Sequence, residues 1–413
     1  MPQPGPEQLA DPVDEPPPLT LRDPLPPVVD TAGALAATIR SVATGTGPVA
    51  LDAERASGHR YSQRAYLVQL RRVGSGTALI DPIPFPGLDE LGAAIGDTEW
   101  VLHAATQDLM CLAEIGLRPT TLFDTELAAR LLNVPRVGLA TLVSELLGSS
   151  LAKEHSAVDW STRPLPEPWL VYAALDVEVL LELRTVLIDL LTRAGKLGWA
   201  HEEFDALTRF GGPTPRAEPW RRTSGIHKVR GRRPLAVVRE LWQARDEVAR
   251  RRDTAPSRVL PDSLIAEIAT TMPKDGQALR GSTAMRRRGA RRHLDAWSDA
   301  YDRALAQPED QLPLAAARPD GPPPARAWAQ RHPVAAARLS ACRGVISELA
   351  TAHELPAENV LSPELVRRLA WEPPEPADEP TVAAVLAAGG ARMWQIGLTT
   401  PGLCAALDAG RDG

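Results

Sequence analysis

Between Pro48 and His103 the chain carries four short apolar runs too brief for helices, and the segments after them switch to helical spacing. Pro48 to Asp52 reads as a short buried strand, and Arg64-Ala-Tyr-Leu-Val-Gln-Leu-Arg71 alternates as a second. Thr77-Ala-Leu-Ile-Asp81 is a third and Trp100-Val-Leu-His103 another. Asp30-Thr-Ala-Gly-Ala-Leu-Ala-Ala-Thr-Ile-Arg40 reads as a capped amphipathic helix ahead of them. Asp108 to Ile115 reads as a helix behind them, and helical patterns dominate through Leu190. A strand meander followed by strands alternating with helices predicts an α/β core built on a mixed sheet.

A length of 413 residues implies two to four domains. Residues 1 to about 30 read as a disordered, acidic, proline-rich tail. Arg209-Phe-Gly-Gly-Pro-Thr-Pro215 breaks the first unit, and a Pro, Gly and Arg-rich connector runs on to about Pro234. Leu235 to Ala304 is helical by pattern, Gln311 to Pro324 is a linker by composition, and Trp328 onward is helical again. Val259-Leu-Pro-Asp-Ser-Leu-Ile-Ala-Glu-Ile-Ala269 recurs about 101 residues later as Val360-Leu-Ser-Pro-Glu-Leu-Val-Arg-Arg-Leu-Ala370. Two related small helical domains follow from that repeat.

No apolar run approaches the roughly 18 residues that span a bilayer. Met1 to Pro27 lacks the basic start and apolar centre of a signal peptide. Cys111, Cys342 and Cys404 are odd in number and far apart, which argues against a disulfide framework or a zinc site and for a reducing cytoplasm. The net charge of −6 hides an asymmetry: from Trp220 to His293 about 19 Lys/Arg face about 7 Asp/Glu. A local excess of that size is a footprint for phosphate backbones, although an arginine-rich solvated surface gives the same count.

Asp52 and Glu54 stand two apart at the end of the first strand, so both side chains share a face. Asp108 opens the helix after the Trp100 strand, where it could equally be an N-cap. Tyr172 and Asp176 lie at i and i+4 on one face of a strongly helical stretch. Four acids and a phenol make chemical sense together around divalent metals such as Mg²⁺ or Mn²⁺, which take hard oxygen ligands. Two such ions can clamp an in-line phosphoryl displacement.

The order D-x-E, a distant D, then Y-x-x-x-D resembles the motifs of DEDD-type 3′–5′ exonucleases of the tyrosine subclass. Leu79-Ile-Asp-Pro82, His103-Ala-Ala-Thr-Gln-Asp108, Leu122-Phe-Asp-Thr125, Asp159-Trp-Ser-Thr-Arg-Pro-Leu165 and Tyr172-Ala-Ala-Leu-Asp176 are similar to the segments of the ribonuclease D family, in order. Arg239 to Ala249 with Pro256-Ser-Arg-Val-Leu260 resembles an HRDC domain (helicase and ribonuclease D C-terminal). The resemblance implies a ribonuclease-H-like exonuclease domain over residues 31–210. A basic linker at 211–234, an HRDC domain at 235–310, a proline-rich linker at 311–327 and a second HRDC-like domain at 328–413 would follow it.

It also implies roles. Asp52 would bridge two metal ions, Glu54 and Asp176 would hold the water-activating one, and Asp108 would serve the other. Tyr172 would orient the water rather than take its proton, because a phenol with a pKa near 10 is a poor base. The implied activity is cytoplasmic, monomeric, metal-dependent trimming of single-stranded 3′ ends of RNA such as tRNA precursors, releasing 5′-mononucleotides. A DNA 3′–5′ exonuclease and a non-catalytic nucleic-acid adaptor are the alternatives.

Outside the five motif residues, Arg163 is expected to grip a phosphate near the metals. Arg55 departs from the commoner family pattern and could reach a phosphate or pair with a local acid. Arg286, Arg287, Arg288, Arg291 and Arg292 would contact RNA phosphates without reading sequence. His103 reads as a hydrogen-bonded structural group and Asp124 as the cap of a helix starting at Thr125. Asp159 and Trp160 could line the substrate path or pack beneath it. Trp220 and Trp242 read as core or linker anchors.

Overall fold

A computed structural model describes residues 16–152, 155, 157–286, 290–315 and 321–409. Its first unit is a six-stranded sheet with spatial order β1-β4-β3-β2-β5-β6. The strands are β1 (Val28–Val29), β2 (Thr46–Arg55), β3 (Ala65–Val73), β4 (Gly76–Ile80), β5 (Glu99–Leu102) and β6 (Thr121–Asp124). β2 pairs antiparallel with β3 and parallel with β5. β5 and β6 are parallel, β3 and β4 antiparallel, and β1 and β4 parallel, so the expected mixed sheet is present. The β3–β4 turn needs Gly74 and Gly76, whose φ values of +88° and +75° side chains rarely adopt.

β2 is the centre of the sheet, and Val49, Ala50 and Leu51 are fully buried there. It runs to ten residues, longer than the Pro48–Asp52 run suggests: a bulge at Gly47 lets Thr46 join the ladder, and pairing with β3 carries the strand on through Arg55. β1 and β6 lie in stretches read as tail and as helix. At two and four residues they carry too little alternation to be seen in sequence. From Pro16 onward the expected tail has partners: Leu19 N–H donates to Ser150 O, and Arg22 N–H donates to Glu178.

The helices of this unit are α1 (Ala32–Ala43), α2 (Asp89–Ile95), α3 (Leu109–Glu114), α4 (Thr125–Leu131), α5 (Leu139–Leu142), α6 (Glu167–Glu178), α7 (Leu180–Arg193) and α8 (Leu197–Thr208). Thr31 caps α1, accepting from Ala34 N–H at 3.4 Å. α6 packs against β2, β3 and β4, and α7 against β2, β5 and α4.

Two helical units follow. The first comprises α9 (Arg232–Arg251), α10 (Pro256–Val259), α11 (Asp262–Thr271), α12 (Gly276–Gly281) and α13 (Leu294–Ala306). The second comprises α14 (Trp328–Arg331), α15 (Pro333–Ala352), α16 (Ala357–Val360), α17 (Pro363–Trp371), α18 (Glu379–Ala388) and α19 (Met393–Ala409). α9, α10 and α11 begin about 101 residues before α15, α16 and α17, so the sequence repeat is a repeat of structure. Among the described residues no helix is long and apolar enough to cross a membrane.

The two units dock differently. The first meets the β2–β3 loop through polar contacts. Tyr61 donates to Asp246 at 3.1 Å, Ser62 N–H donates to Asp253 at 2.8 Å, and Arg258 donates to Gly58 O at 2.8 Å. The second meets α8 through a stacked pair, Trp199 on Trp394, with ring centroids 4.7 Å apart and planes at 15°. Trp394 donates its indole N–H to Glu203, and Lys196 donates to Glu354 O at 3.0 Å. Because Trp394 is 7% exposed, Trp394→Ala should cost about 3–5 kcal/mol. Calorimetry should show the melting temperature falling by about 5–15 °C. Val73→Ala, at a residue 58% exposed, should change it by less than about 2 °C.

Candidate active site

The C-terminal end of β2 opens into a cavity of about 550 Å³ whose lining includes Asp52, Glu54, Arg55, His103, Asp108, Tyr172 and Asp176. Strand alternation puts Asp52 and Glu54 on its wall together. α6 crosses the sheet there and presents Tyr172 and Asp176 from one face, four residues apart. One carboxylate oxygen each from Asp52, Glu54 and Asp176 lies within 4.8 Å of the others. Asp108 sits beside Asp52 on the other flank, close enough for their carboxyls to share a hydrogen bond. The structure thus brings all five motif residues into one cavity, with Asp52 between the Glu54–Asp176 side and the Asp108 side.

Asp108 reaches that position through a strained turn. Ala104, two residues past the end of β5, is left-handed at φ +55°, a conformation costly for a residue with a Cβ. Asp124 holds it there: its two carboxylate oxygens accept from Ala104 N–H at 3.1 Å and Ala105 N–H at 2.8 Å. The same carboxylate caps α4, accepting from Glu126 N–H and Leu127 N–H. The capping role expected of Asp124 is present, and the same group also fixes the loop that carries Asp108. Asp108 starts α3 yet makes no side-chain capping bond, which leaves its oxygens for the cavity.

Burial dominates the electrostatics. Asp108 and Asp176 are 4% and 6% exposed, and desolvation pushes both well above the ordinary carboxylate range, with Asp52 adding to each. Glu54 is pushed up to about 10 by burial and then by Asp52, Asp176 and Asp108. Burial, followed by Asp176 and Glu54, also raises the Tyr172 phenol, which lies within hydrogen-bonding reach of Asp176. That phenol is a donor at neutral pH and no base. His103 shares a hydrogen bond with Thr125 Oγ1 at 2.9 Å, and burial lowers it to about 4, so it is a neutral structural group.

A set of oxygen-only ligands with mutually raised pKa values suits a hard divalent cation, whose charge offsets the repulsion. Gln69 supports one member of the set. It lies opposite Asp52 in the β2–β3 ladder, is fully buried, and donates to Asp52 Oδ2 at 3.4 Å. Sequence reading passed over it, although a glutamine inside the apolar run of β3 was the signal.

Arg163 is not where a phosphate grip needs it. Its Nε and Nη2 donate to the two oxygens of Asp81 at 2.6 and 2.9 Å, and its remaining bonds go to Tyr66 O, Trp160 O and Thr162 O. A guanidinium so fully engaged ties β4 to the 160–163 loop, and the phosphate role expected of it is withdrawn. Trp160 is fully buried and meets Trp169 edge-on, so it packs beneath the site, and Asp159 accepts from Ser161 and faces His59. Arg55 takes the local-acid option, with Nη2 3.7 Å from Asp108 Oδ1.

Arg286, Arg291 and Arg292 are exposed on the first helical unit and do not line the cavity; Arg287 and Arg288 lie outside the described residues. Burial first, and then Arg252, Arg251 and Arg292, depress the His293 pKa, so the end of α9 and the 290–293 turn form one basic surface. Trp220 is buried beneath Arg221, and Trp242 packs on the same core, as anchors do.

Comparison with known proteins fits this geometry. A family described as 3′-5′ exonuclease matches residues 26–192, and the HRDC domain matches residues 235–301. The second helical unit, expected to be HRDC-like, matches a separate description over residues 321–407, a 3′ to 5′ exonuclease C-terminal domain. The ribonuclease D of Gluconacetobacter diazotrophicus is 32% identical over 338 residues, covering 79% of this chain and 81% of that protein. The ribonuclease D of Acidiphilium cryptum is 32% identical over 363 residues, covering 84% and 87%. A protein of known structure from Bifidobacterium adolescentis is 38% identical with a TM-score of 0.87, covering 95% of this chain and 100% of that one. Escherichia coli RNase D, described as an exoribonuclease involved in structured RNA processing, is 26% identical with a TM-score of 0.66, covering 93% and 98%. By its sheet, its acidic cavity and these matches along most of its length, the chain belongs to the ribonuclease D family.

Proposed function

We propose that this protein is a cytoplasmic, monomeric 3′–5′ exoribonuclease that needs divalent metal and trims single-stranded 3′ ends of structured RNA, tRNA precursors among them. The observation that carries the reading is the gathering of Asp52, Glu54, Asp108, Asp176 and Tyr172 in one cavity of a ribonuclease D fold. Asp52, Glu54 and Asp176 would hold one ion, and Asp52 with Asp108 a second, either Mg²⁺ or Mn²⁺. Bound there, the ions would lower the pKa of water and stabilise charge on the leaving oxygen. Tyr172, protonated, donates a hydrogen bond that orients the attacking water. Phosphodiester hydrolysis at the terminal linkage leaves the phosphate on the departing nucleotide as a 5′-mononucleotide.

The first helical unit supports the RNA reading. Its contacts on residues 58–62 put it beside Ser57 and Gly58, which line the cavity, so a strand entering there passes along its flank. The exposed arginines supply sequence-blind phosphate contacts.

Asp52→Asn or Asp176→Asn should cut 3′ shortening of a radiolabelled RNA at least about a hundredfold while RNA binding by filter assay persists. Matched DNA strands with Mg²⁺ and Mn²⁺ test the RNA preference; equal rates on both would reject it. Replacing Arg286, Arg291 and Arg292 together by Ala should weaken RNA binding and flatten the slope of log K against log salt by about 2. Hydrolysis of a dinucleotide, too short to reach that surface, should be unchanged.

Raised carboxyl pKa values also fix a pH dependence. Glu54 has an ordinary value of 4.5 and a folded value of about 10, so its contribution to stability is complete below 4.5 and is lost as pH climbs towards 10. Metal-free protein should therefore melt at falling temperatures from pH 6 to 9. Mn²⁺ at a hundred times its Kd should restore about 2.7 kcal/mol. With the Mn²⁺ concentration held at its pH 6 level, the gain should grow with pH as the Kd falls, and Asp52→Asn should remove most of it.

A further inference from the structure

Among the described residues lining the cavity, Arg55 is the only Arg or Lys. Strict alternation would send it to the face opposite Asp52 and Glu54. The β2–β3 ladder is irregular between Glu54 and Arg55, where Tyr66 is the extra residue on β3, so the regular pairing that enforces alternation on β2 lapses at Arg55. Arg55 accordingly turns into the cavity, with its side chain 25% exposed, and faces Asp108, whose side chain is 6% exposed. At 3.7 Å this is an ion pair too long for a hydrogen bond. The guanidinium keeps its donors free of acceptors among the described residues.

The cation therefore pairs with Asp108, while its charge also reaches Asp52 and Glu54. Four carboxylates, Arg55 and one divalent ion leave a single negative charge. A second ion overshoots to a single positive charge, and a phosphodiester then brings the site to neutrality. We propose that Arg55 holds the Asp108 half of the site until substrate arrives, so that uptake of a second divalent cation depends on a phosphate anion to which the guanidinium turns. This deepens the two-ion reading above and rests on it. Linkage makes the effect reciprocal: phosphate tightens the second ion by the factor by which that ion tightens phosphate. Arg55 is then a positioning residue that ties loading of the site to the presence of a nucleic-acid end.

The test is Mn²⁺ binding to the full-length protein, read by the EPR signal of free Mn²⁺, with and without 5′-AMP, a phosphate-bearing nucleotide that hydrolysis does not consume. Wild type should bind one ion tightly and a second weakly, with 5′-AMP tightening the second at least tenfold. Arg55→Met should tighten the second ion about tenfold without nucleotide and remove most of the 5′-AMP effect; Arg55→Lys should restore part of it. Melting temperatures within about 3 °C of wild type establish that the variants are folded, and Arg55→Gln serves if Arg55→Met is not. Two weighable Mn²⁺ constants that stay within twofold in the neutral variants would overturn the inference alone, as would a second wild-type ion indifferent to 5′-AMP. Wild type that binds no Mn²⁺, or binds it as Asp52→Asn does, would instead overturn the functional reading beneath it.

Discussion

Mutual repulsion among four carboxylates in one water-poor cavity is the constraint that the rest of the catalytic unit answers. Left to itself, each acid would swing towards bulk water and the cluster would disperse. Two features stop that. β2 lies between β3 and β5 at the centre of the sheet, so the backbone under Asp52 and Glu54 is fixed from both sides. α6 is pressed against β2, β3 and β4, so Asp176 and Tyr172 cannot retreat without lifting a helix from the core. The raised pKa values reflect burial first and mutual repulsion second, and a divalent cation is the group best able to offset both.

Confinement is delegated to residues that never face substrate. Asp124 engages four backbone N–H groups, two in the turn that aims Asp108 and two at the start of α4. Burial raises the Asp124 pKa, and those donors pull it back, so the capping bonds and the turn geometry depend on the same ionised group. Arg163 and Asp81 do the equivalent on the other side, joining β4 to the loop beneath Tyr172. The active site therefore sits between two hydrogen-bond clamps, each centred on a buried aspartate from a segment that resembles ribonuclease D.

Much of this was legible in the residues because local signals carried it. The D-x-E spacing on a strand, the i, i+4 pair on a helix and the acid before Thr125 each specify geometry within a few residues. What depended on distant partners was not legible. Arg163 lies 82 positions from Asp81, and nothing in its surroundings shows that its guanidinium is already taken. β1 and β6 exist because parallel neighbours accept their backbone groups, a fact with no trace in a run of two or four residues. Arg55 stood between two readings because a guanidinium next to D-x-E suits a phosphate and a local acid alike. Its pairing with Asp108 at 3.7 Å is a contact between distant positions.

The internal repeat shows how one helical scaffold can serve two ends. The first copy carries the basic surface around His293 and touches the catalytic unit through hydrogen bonds to a loop at the cavity mouth. The second, from Trp328 onward, holds about 7 Lys/Arg against about 10 Asp/Glu and buries a tryptophan stack against α8. The first copy docks on that loop by hydrogen bonds and by Tyr61, which packs on its core, whereas the second adds a buried aromatic pair. The copy that kept its charge is thus the one held beside the acids, and the copy that lost it is fixed as part of the frame. That division follows from surface chemistry alone, since the helices beneath it hold nearly the same spacing in both.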